Sequence, residues 1–322
     1  MKEEEAVDHK YDRIDLSAYC VISIWFGCNN DCIICMLGDM KRKLPVIGFD
    51  RFRSVLCQIR NDGRFRNLIV SGAEVSTFDE VGRYVQFADS LEWFEKIQIQ
   101  TNGRNLADKD YVQHLIACGV NEFFISIHGL KEVHDAVVRV PGAFKETMQG
   151  IKNLEDFDVN VITNTVLTKA NFHDITHLMT VLSNKRVSEI QLWNFFPMER
   201  TDTKDLVISM KEFVGLLPEM LAMVKSAGKA LVLKSFPECL SIGPPGFFDS
   251  LFPVTVLPDL FWRQFRECGF GTCFHRVRGE CKAWQCWGLS SAYIQKYGDE
   301  RDLLNPITSS QLSPLEREGN GR

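Results

Sequence analysis

The chain has 322 residues, 45% of them hydrophobic, and a formal net charge of −5. That length suffices for one large α/β unit with a smaller one beside it. No Lys/Arg cluster dominates a legible face, which argues against nucleic acid as a partner, and no apolar run is long enough to cross a bilayer. The start, Met1-Lys2-Glu3-Glu4-Glu5, lacks a secretory pattern. The expected location is the cytoplasm, where the 11 cysteines are reduced and close cysteine spacing points to metal.

Residues 1–18 are too few and too polar for a folded unit and are expected to be an N-terminal extension. The apolar run Cys20–Phe26 reads as a buried strand. Directly after it stand Cys28, Cys32 and Cys35, spaced C-x3-C-x2-C. One loop of that spacing can ligate three irons of a cubane cluster, for which thiolate is the usual ligand. The fourth iron then stays open, as one position does in a catalytic zinc site. A zinc site or a chance grouping is the plainer reading, but zinc usually takes four ligands, and no histidine or fourth cysteine lies nearby in sequence.

The following segments alternate. Asp50 is expected to cap a helix carrying Phe52, Val55, Leu56 and Ile59, and Asn67–Val70 is a short strand ending in Ser71-Gly72-Ala73-Glu74-Val75. A helix through Val81, Tyr84, Val85 and Ala88 precedes the strand Lys96–Gln100, which ends in Thr101-Asn102-Gly103. A helix over Tyr111–Cys118 stops at Gly119, and the strand Glu122–Ile127 brings Ser126 and His128 to its end. Then come His134-Asp135, Arg139 and Pro141-Gly142-Ala143-Phe144, a helix through Ile151 and Leu154, and the strand Val159–Leu167. Asn171 is expected to cap a helix with Ile175, Leu178, Met179 and Leu182, and Ile190–Phe196 is the last strand of the series. Six strand–helix alternations between residues 19 and 200 predict a parallel sheet with right-handed crossovers.

A cysteine loop at the C-terminal end of a first strand resembles the radical S-adenosylmethionine (radical SAM) superfamily. The resemblance implies a partial (β/α)6 TIM-like barrel over residues 19–200, with ligands at the C-terminal strand ends. It also implies a [4Fe-4S] cluster on Cys28, Cys32 and Cys35 whose open iron binds SAM. Reductive cleavage of SAM would then give a 5′-deoxyadenosyl radical that abstracts hydrogen from a substrate, with a flavodoxin or ferredoxin as electron donor. Gly72-Ala73-Glu74-Val75 looks like the family's Gly-Gly-Glu-Pro stretch, changed at two positions, and would hold the methionyl end of SAM. Asn102, Ser126, His128 and Arg139 match further cofactor-contacting positions, with Arg139 suited to a carboxylate. The residue before the last loop cysteine is often aromatic in the family; here it is Ile34, counted among the cofactor contacts. The plain readings are a turn for Asn102, a core or loop histidine for His128, and a surface arginine for Arg139. Many peptide-modifying members carry an N-terminal leader-binding module, for which residues 1–18 leave no room.

Beyond residue 200 the composition changes. A long amphipathic helix is expected from Thr201 to about Lys225, then a strand Ala230–Lys234, a Pro/Gly-rich loop Ile242–Gly246, and Cys239, Cys268, Cys273, Cys281 and Cys286. With Trp287-Gly288, Tyr293 and Tyr297-Gly298 this resembles the SPASM or twitch subdomain of some radical SAM enzymes, expected over 201–303. It would carry one auxiliary [4Fe-4S] cluster on Cys239, Cys273, Cys281 and Cys286, with Cys268 replacing one of them or staying free. A structural zinc on four of the five, with His275, stays open beside it. Cys20, Cys57 and Cys118 read as small core residues, and Leu304–Arg322 as a loose tail.

The expected activity is radical chemistry on a small molecule such as a sugar, aminocyclitol or nucleoside. A peptide maturase that recruits its substrate through a separate protein is the competing enzyme reading. An iron–sulfur electron-transfer or binding protein without SAM chemistry is the competitor from another class.

Overall fold

Strands β1 Tyr19–Trp25, β2 Asn67–Gly72, β3 Lys96–Thr101, β4 Glu122–Ser126, β5 Asn160–Leu167 and β6 Glu189–Asn194 pair in chain order, every neighbour parallel. The computed structural model describes residues 16–240, 248–283 and 286–310. Residues 1–15, the loop Ile242–Gly246 and residues 311–322 of the expected tail lie outside the described residues. The helices between the strands are α1 Phe49–Asp62, α2 Val81–Ser90, α3 Lys109–Ala117, α4 Lys131–Val138, α5 Ala143–Leu154 and α6 Ile175–Ser183. The α/β alternation expected for a partial barrel is present.

Period-two patterning separates the two faces of the sheet. Ile22, Ile24, Leu68, Val70, Ile97, Ile99, Phe123 and Ile125 pack against the helices in one continuous core. Each such buried side chain contributes roughly 1.5–3 kcal/mol. The opposite face is mixed: Ile69, Gln98, Gln100, Phe124, Ile162, Gln191 and Trp193 surround the interior of the curl. Polar residues on an inward face are a poor core filler and mark a surface built to meet a ligand.

The sheet crosses the expected boundary at residue 200. Helix α7, Met210–Ala227, returns the chain so that β7 Ala230–Lys234 pairs parallel with β6, and β8 Phe248–Asp249 follows on β7. Strand β9 Val254–Val256 then joins the far edge beside β1, giving the order β8-β7-β6-β5-β4-β3-β2-β1-β9 among the described residues. Ala230–Lys234 is one more βαβ step, which its isolation in sequence concealed. Helix α7 starts at residue 210 rather than 201, because Ser209 and Glu212 form a capping box there. Upstream, the Asp202 carboxylate accepts from the amides of Leu206 and Val207 and holds a turn.

Other local expectations change. Gly48 precedes α1, so Asp50 lies in the first turn, where a carboxylate favours the helix dipole without capping it. Asn171 precedes a short 3-10 turn, and its side chain binds Thr168, Val166 and His128 instead of capping a helix. Cys20 and Cys118 are buried, but Cys57 is exposed on α1. The expected tail is packed where it begins, for Leu304 is buried and Ile307 accepts from the Lys282 amide.

The remaining helices are α8 Asp259–Glu267, α9 Phe274–Val277 and α10 Ser291–Tyr297. Two tyrosines of α10 tie it to the start of α7. Tyr293 accepts from the Met210 amide at 2.7 Å, and Tyr297 donates to the Val207 carbonyl at 2.9 Å.

Candidate active site

The loop that leaves β1 carries Cys28, Cys32 and Cys35 as free thiols. Three backbone segments fix it. The amide of Ala73 donates to Trp25 at 2.8 Å, and that of Glu74 to Gly27 at 3.0 Å. From the loop itself, Asp31 and Ile33 donate to Val138 and Val137 at the end of α4, at 3.1 and 2.9 Å. On the third side, Asn102 donates to the Asn29 side chain at 2.7 Å. Arg104 reaches the Asn29 carbonyl at 2.6 Å and the Asn30 side chain at 2.9 Å, while Glu146 holds its Nε at 2.6 Å.

Burial pushes the Cys28 thiol up, and it pushes Cys32 to about 12, with Cys35 and Cys28 adding to the effect. Three thiols gathered on one short, partly buried loop form a donor set that a cationic cluster suits. The site therefore fits the group that the sequence implies.

The stretch after β2 is shaped by contact. A Cβ on Gly72 would stand 1.9 Å from the Trp25 carbonyl oxygen, so only glycine lets the two strand ends meet. Glu74 is fully buried. Its carboxylate accepts from the Ser76 amide at 3.0 Å, the Thr101 hydroxyl at 2.7 Å and the Asn102 amide at 2.5 Å. Its side chain thus stitches the ends of β2 and β3 together.

Ser126 and Asn164 face each other across β4 and β5, and the buried Asn164 Oδ1 has no protein partner. An orphaned acceptor beside the end of β4 suits a polar ligand. His128 is buried, its amide donates to His134 Nδ1 at 3.0 Å, and its own Nδ1 accepts from Val166 at 3.3 Å. Arg139 ends α4 in a left-handed conformation and lies 3.5 Å from Asp31, exposed at the rim of the cluster loop. Ile34 is buried in the main core and also lines a cleft of about 980 Å³ beside Cys35, between Phe195–Lys204 and α8.

Burial holds the His128 ring down at about 3 and the His134 ring at about 4. Both stay neutral at pH values where unfolded histidines, with pKa near 6.5, take up a proton. Between about pH 6.5 and pH 4 the unfolded chain binds more protons. Stability is thus full above that window and is lost as pH falls, by up to about 1.4 kcal/mol per pH unit for each ring. Denaturant titrations at pH 7 and pH 5 should show this slope, and His128→Gln/His134→Gln should flatten it. An unchanged slope would mean that the two rings are not buried neutral.

At the other end of the chain, Cys239, Cys273, Cys281 and Cys286 line one small cavity with His275, Leu304 and Ile307. Burial raises Cys239, and the other three add to it; Cys286 is pushed up to about 12. Cys268 is not among the lining residues; it donates to the Gln264 carbonyl at 3.2 Å, next to Met198. Among the described residues, no three His, Cys, Asp or Glu side chains converge on a point close enough for a single metal ion. Thiolates and an imidazole are donors that both zinc and iron–sulfur clusters take. Between this cavity and the sheet interior stands an aromatic wall. Trp193 meets Phe252 at 5.3 Å, and Phe252 meets Trp287 at 4.6 Å between centroids.

Residues 22–182, half of the chain, match the family model described as the radical SAM superfamily. The chain belongs to this superfamily. As a radical SAM enzyme it uses a [4Fe-4S] cluster and SAM, which supply the reducing electron and the radical precursor. It is 28% identical over 263 residues to an AdoMet-dependent heme synthase of Methanosarcina barkeri, covering 81% of this chain and 74% of that one. It is 24% identical to the sporulation killing factor maturation protein SkfB of Bacillus subtilis, covering 51% of this chain and 39% of SkfB. The fold is that of Streptococcus suis SuiB bound to S-adenosylmethionine, with TM-score 0.56 and 15% identity over 68% of this chain and 50% of SuiB. The chain thus spans about half of SuiB and less than half of SkfB.

Sequence reasoning did not find Asn29, Asn30, Arg104 or Glu146, which position the cluster loop of this radical SAM enzyme. Their signal was faint: an Asn pair inside the cysteine spacing, and an arginine directly after Thr101-Asn102-Gly103. No helix among the described residues is long and apolar enough to cross a membrane.

Proposed function

We propose that this radical SAM enzyme holds its SAM-binding cluster on Cys28, Cys32 and Cys35 and a second [4Fe-4S] cluster on the C-terminal cysteines. We further propose that it acts on a small molecule with a planar, apolar body. The gathering of Cys239, Cys273, Cys281 and Cys286 around one cavity carries this reading. Beside that cavity a cleft of about 490 Å³ is walled by Phe252, Phe265, Phe270 and Trp287 and leads past Trp193 to the sheet interior. Stacking surfaces of this kind favour a flat apolar substrate over a sugar or aminocyclitol. The greater coverage of the heme synthase relative supports the same class. Gly72 and Ala73 would present backbone to SAM, with Ser126, Asn164 and Arg139 around it. The second cluster would take an electron from the substrate radical or anchor the substrate. A flavodoxin or ferredoxin would reduce the first.

An iron porphyrin is the probe. It should quench the protein's tryptophan fluorescence, and Trp287→Ala should weaken its binding roughly tenfold, the loss expected for one stacked ring. Undiminished SAM cleavage without any porphyrin binding would sink the substrate class and favour a peptide substrate, the activity in SkfB's name.

A further inference from the structure

The four cysteines share their cavity with one imidazole. His275 lies in α9, two residues after Cys273, and lines the same space. Its Nδ1 is 2.8 Å from Glu280 Oε2, and Arg278 steadies that carboxylate at 3.0 Å. An ionised carboxylate only accepts, so Nδ1 is the donor here, which leaves Nε2 as the ring atom able to ligate. Nε2 is buried and has no protein partner. The backbone builds this arrangement: the amides of Glu280 and Cys281 both donate to the His275 carbonyl, at 2.9 and 3.2 Å. That turn sets Glu280 behind the ring and Cys281 beside it.

A carboxylate holding one ring nitrogen while the other points unpaired into a thiol-lined cavity is the arrangement of metal-ligating histidines. We propose that His275 is a metal ligand through Nε2, completing the second centre with Cys239, Cys273 and Cys286. The inference rests on the second-cluster reading. A four-iron cube takes one protein donor per iron, so five donors leave one spare. Cys281 is the only one of the four thiols that is not buried, and it is the spare. A nitrogen ligand in place of thiolate makes the centre less negative and raises its potential, as it does where imidazoles replace thiolates on other iron–sulfur centres.

The test uses the whole reduced protein grown with ¹⁴N- or ¹⁵N-histidine, read by pulsed EPR, with iron and zinc counted in the same samples. A nitrogen coupling from a directly bound imidazole is expected in the parent and absent in His275→Ala. His275→Ala and Cys281→Ser should each keep the parent's iron, because the spare donor fills in. The double variant should lose four irons. Labelled parent protein reports on the ligand without any substitution, so a variant that fails to fold leaves the result intact. A full iron count with no histidine coupling, or a coupling that survives His275→Ala, overturns the proposal but leaves the second cluster standing. Zinc in place of the second cluster sinks the cluster reading. In that case a nitrogen neighbour at about 2.0 Å in X-ray absorption, lost in His275→Ala, still establishes the ligand; a sulfur-only shell overturns it. No metal at this end of the chain overturns both.

Discussion

Protein in which Cys28, Cys32 and Cys35 are all alanine should release 5′-deoxyadenosine at least about a thousandfold more slowly than the parent, a loss of about 4 kcal/mol of barrier lowering. It should also hold about four fewer irons while keeping those of the C-terminal cysteines. The magnitude follows from where the chemistry lies. The cluster and SAM carry the electron transfer and bond cleavage, and no side chain near the loop substitutes for them. The fold itself should survive, because the loop is pinned by backbone bonds from Asp31 to Val138, from Ile33 to Val137 and from Glu74 to Gly27 rather than by its thiols. Arg104→Ala gives the contrast. It keeps all three thiols but removes the guanidinium that holds Asn29 and Asn30. Iron retention should then fall by roughly ten- to a hundredfold, the range for residues that orient a metal ligand. Activity per bound cluster should stay near that of the parent. The measurement is anaerobic product formation beside iron content. Product formation persisting in the triple variant would remove these cysteines from the reaction.

The alternation of strands and helices was legible because each β-strand is an apolar run bounded by turn residues, and each amphipathic helix repeats at 3.6 residues. The cysteine loop was legible because spacing alone limits what three thiols can hold. Three other features were hidden for physical reasons. The β7 strand is a local signal whose partner, β6, is remote in sequence, so nothing nearby says that it continues the sheet. The cross-link made by Glu74 depends on donors at the end of β3, some 27 residues on, which nothing in its own stretch announces. The C-terminal cavity gathers Cys239 with cysteines over 30 residues away, and Leu304 and Ile307, read as tail, close it. What sequence carries well is periodic; what it carries poorly is the meeting of distant side chains.

Gly72→Ala should be the most damaging single substitution in the core of this enzyme. The added Cβ would lie 1.9 Å from the Trp25 carbonyl oxygen and 2.9 Å from its carbon. Both are backbone atoms, so no side chain can swing aside. Strands β1 and β2 must part at their C-terminal ends, where the register already shifts between Ser23 and Trp25. The hydrogen bonds from Ala73 to Trp25 and from Glu74 to Gly27 go with them. Overpacking costs roughly 1–3 kcal/mol and each lost backbone bond about 1 kcal/mol, so about 3–5 kcal/mol is expected. In a chain of this size that lowers Tm by roughly 4–7 °C. Gly63→Ala separates this contact from backbone preference alone. Gly63 is also left-handed, at φ 77°, yet nothing lies within 4 Å of its would-be Cβ. Its alanine variant should cost only about 1 kcal/mol. The same separation of strand ends displaces the Gly72–Ala73 backbone, so Gly72→Ala should also abolish the effect of SAM on the reduced cluster's EPR signal, whereas Gly63→Ala should leave that effect intact. Equal losses of Tm in the two variants would show that the strand ends are not in contact, and position 72 would then need another explanation for its glycine.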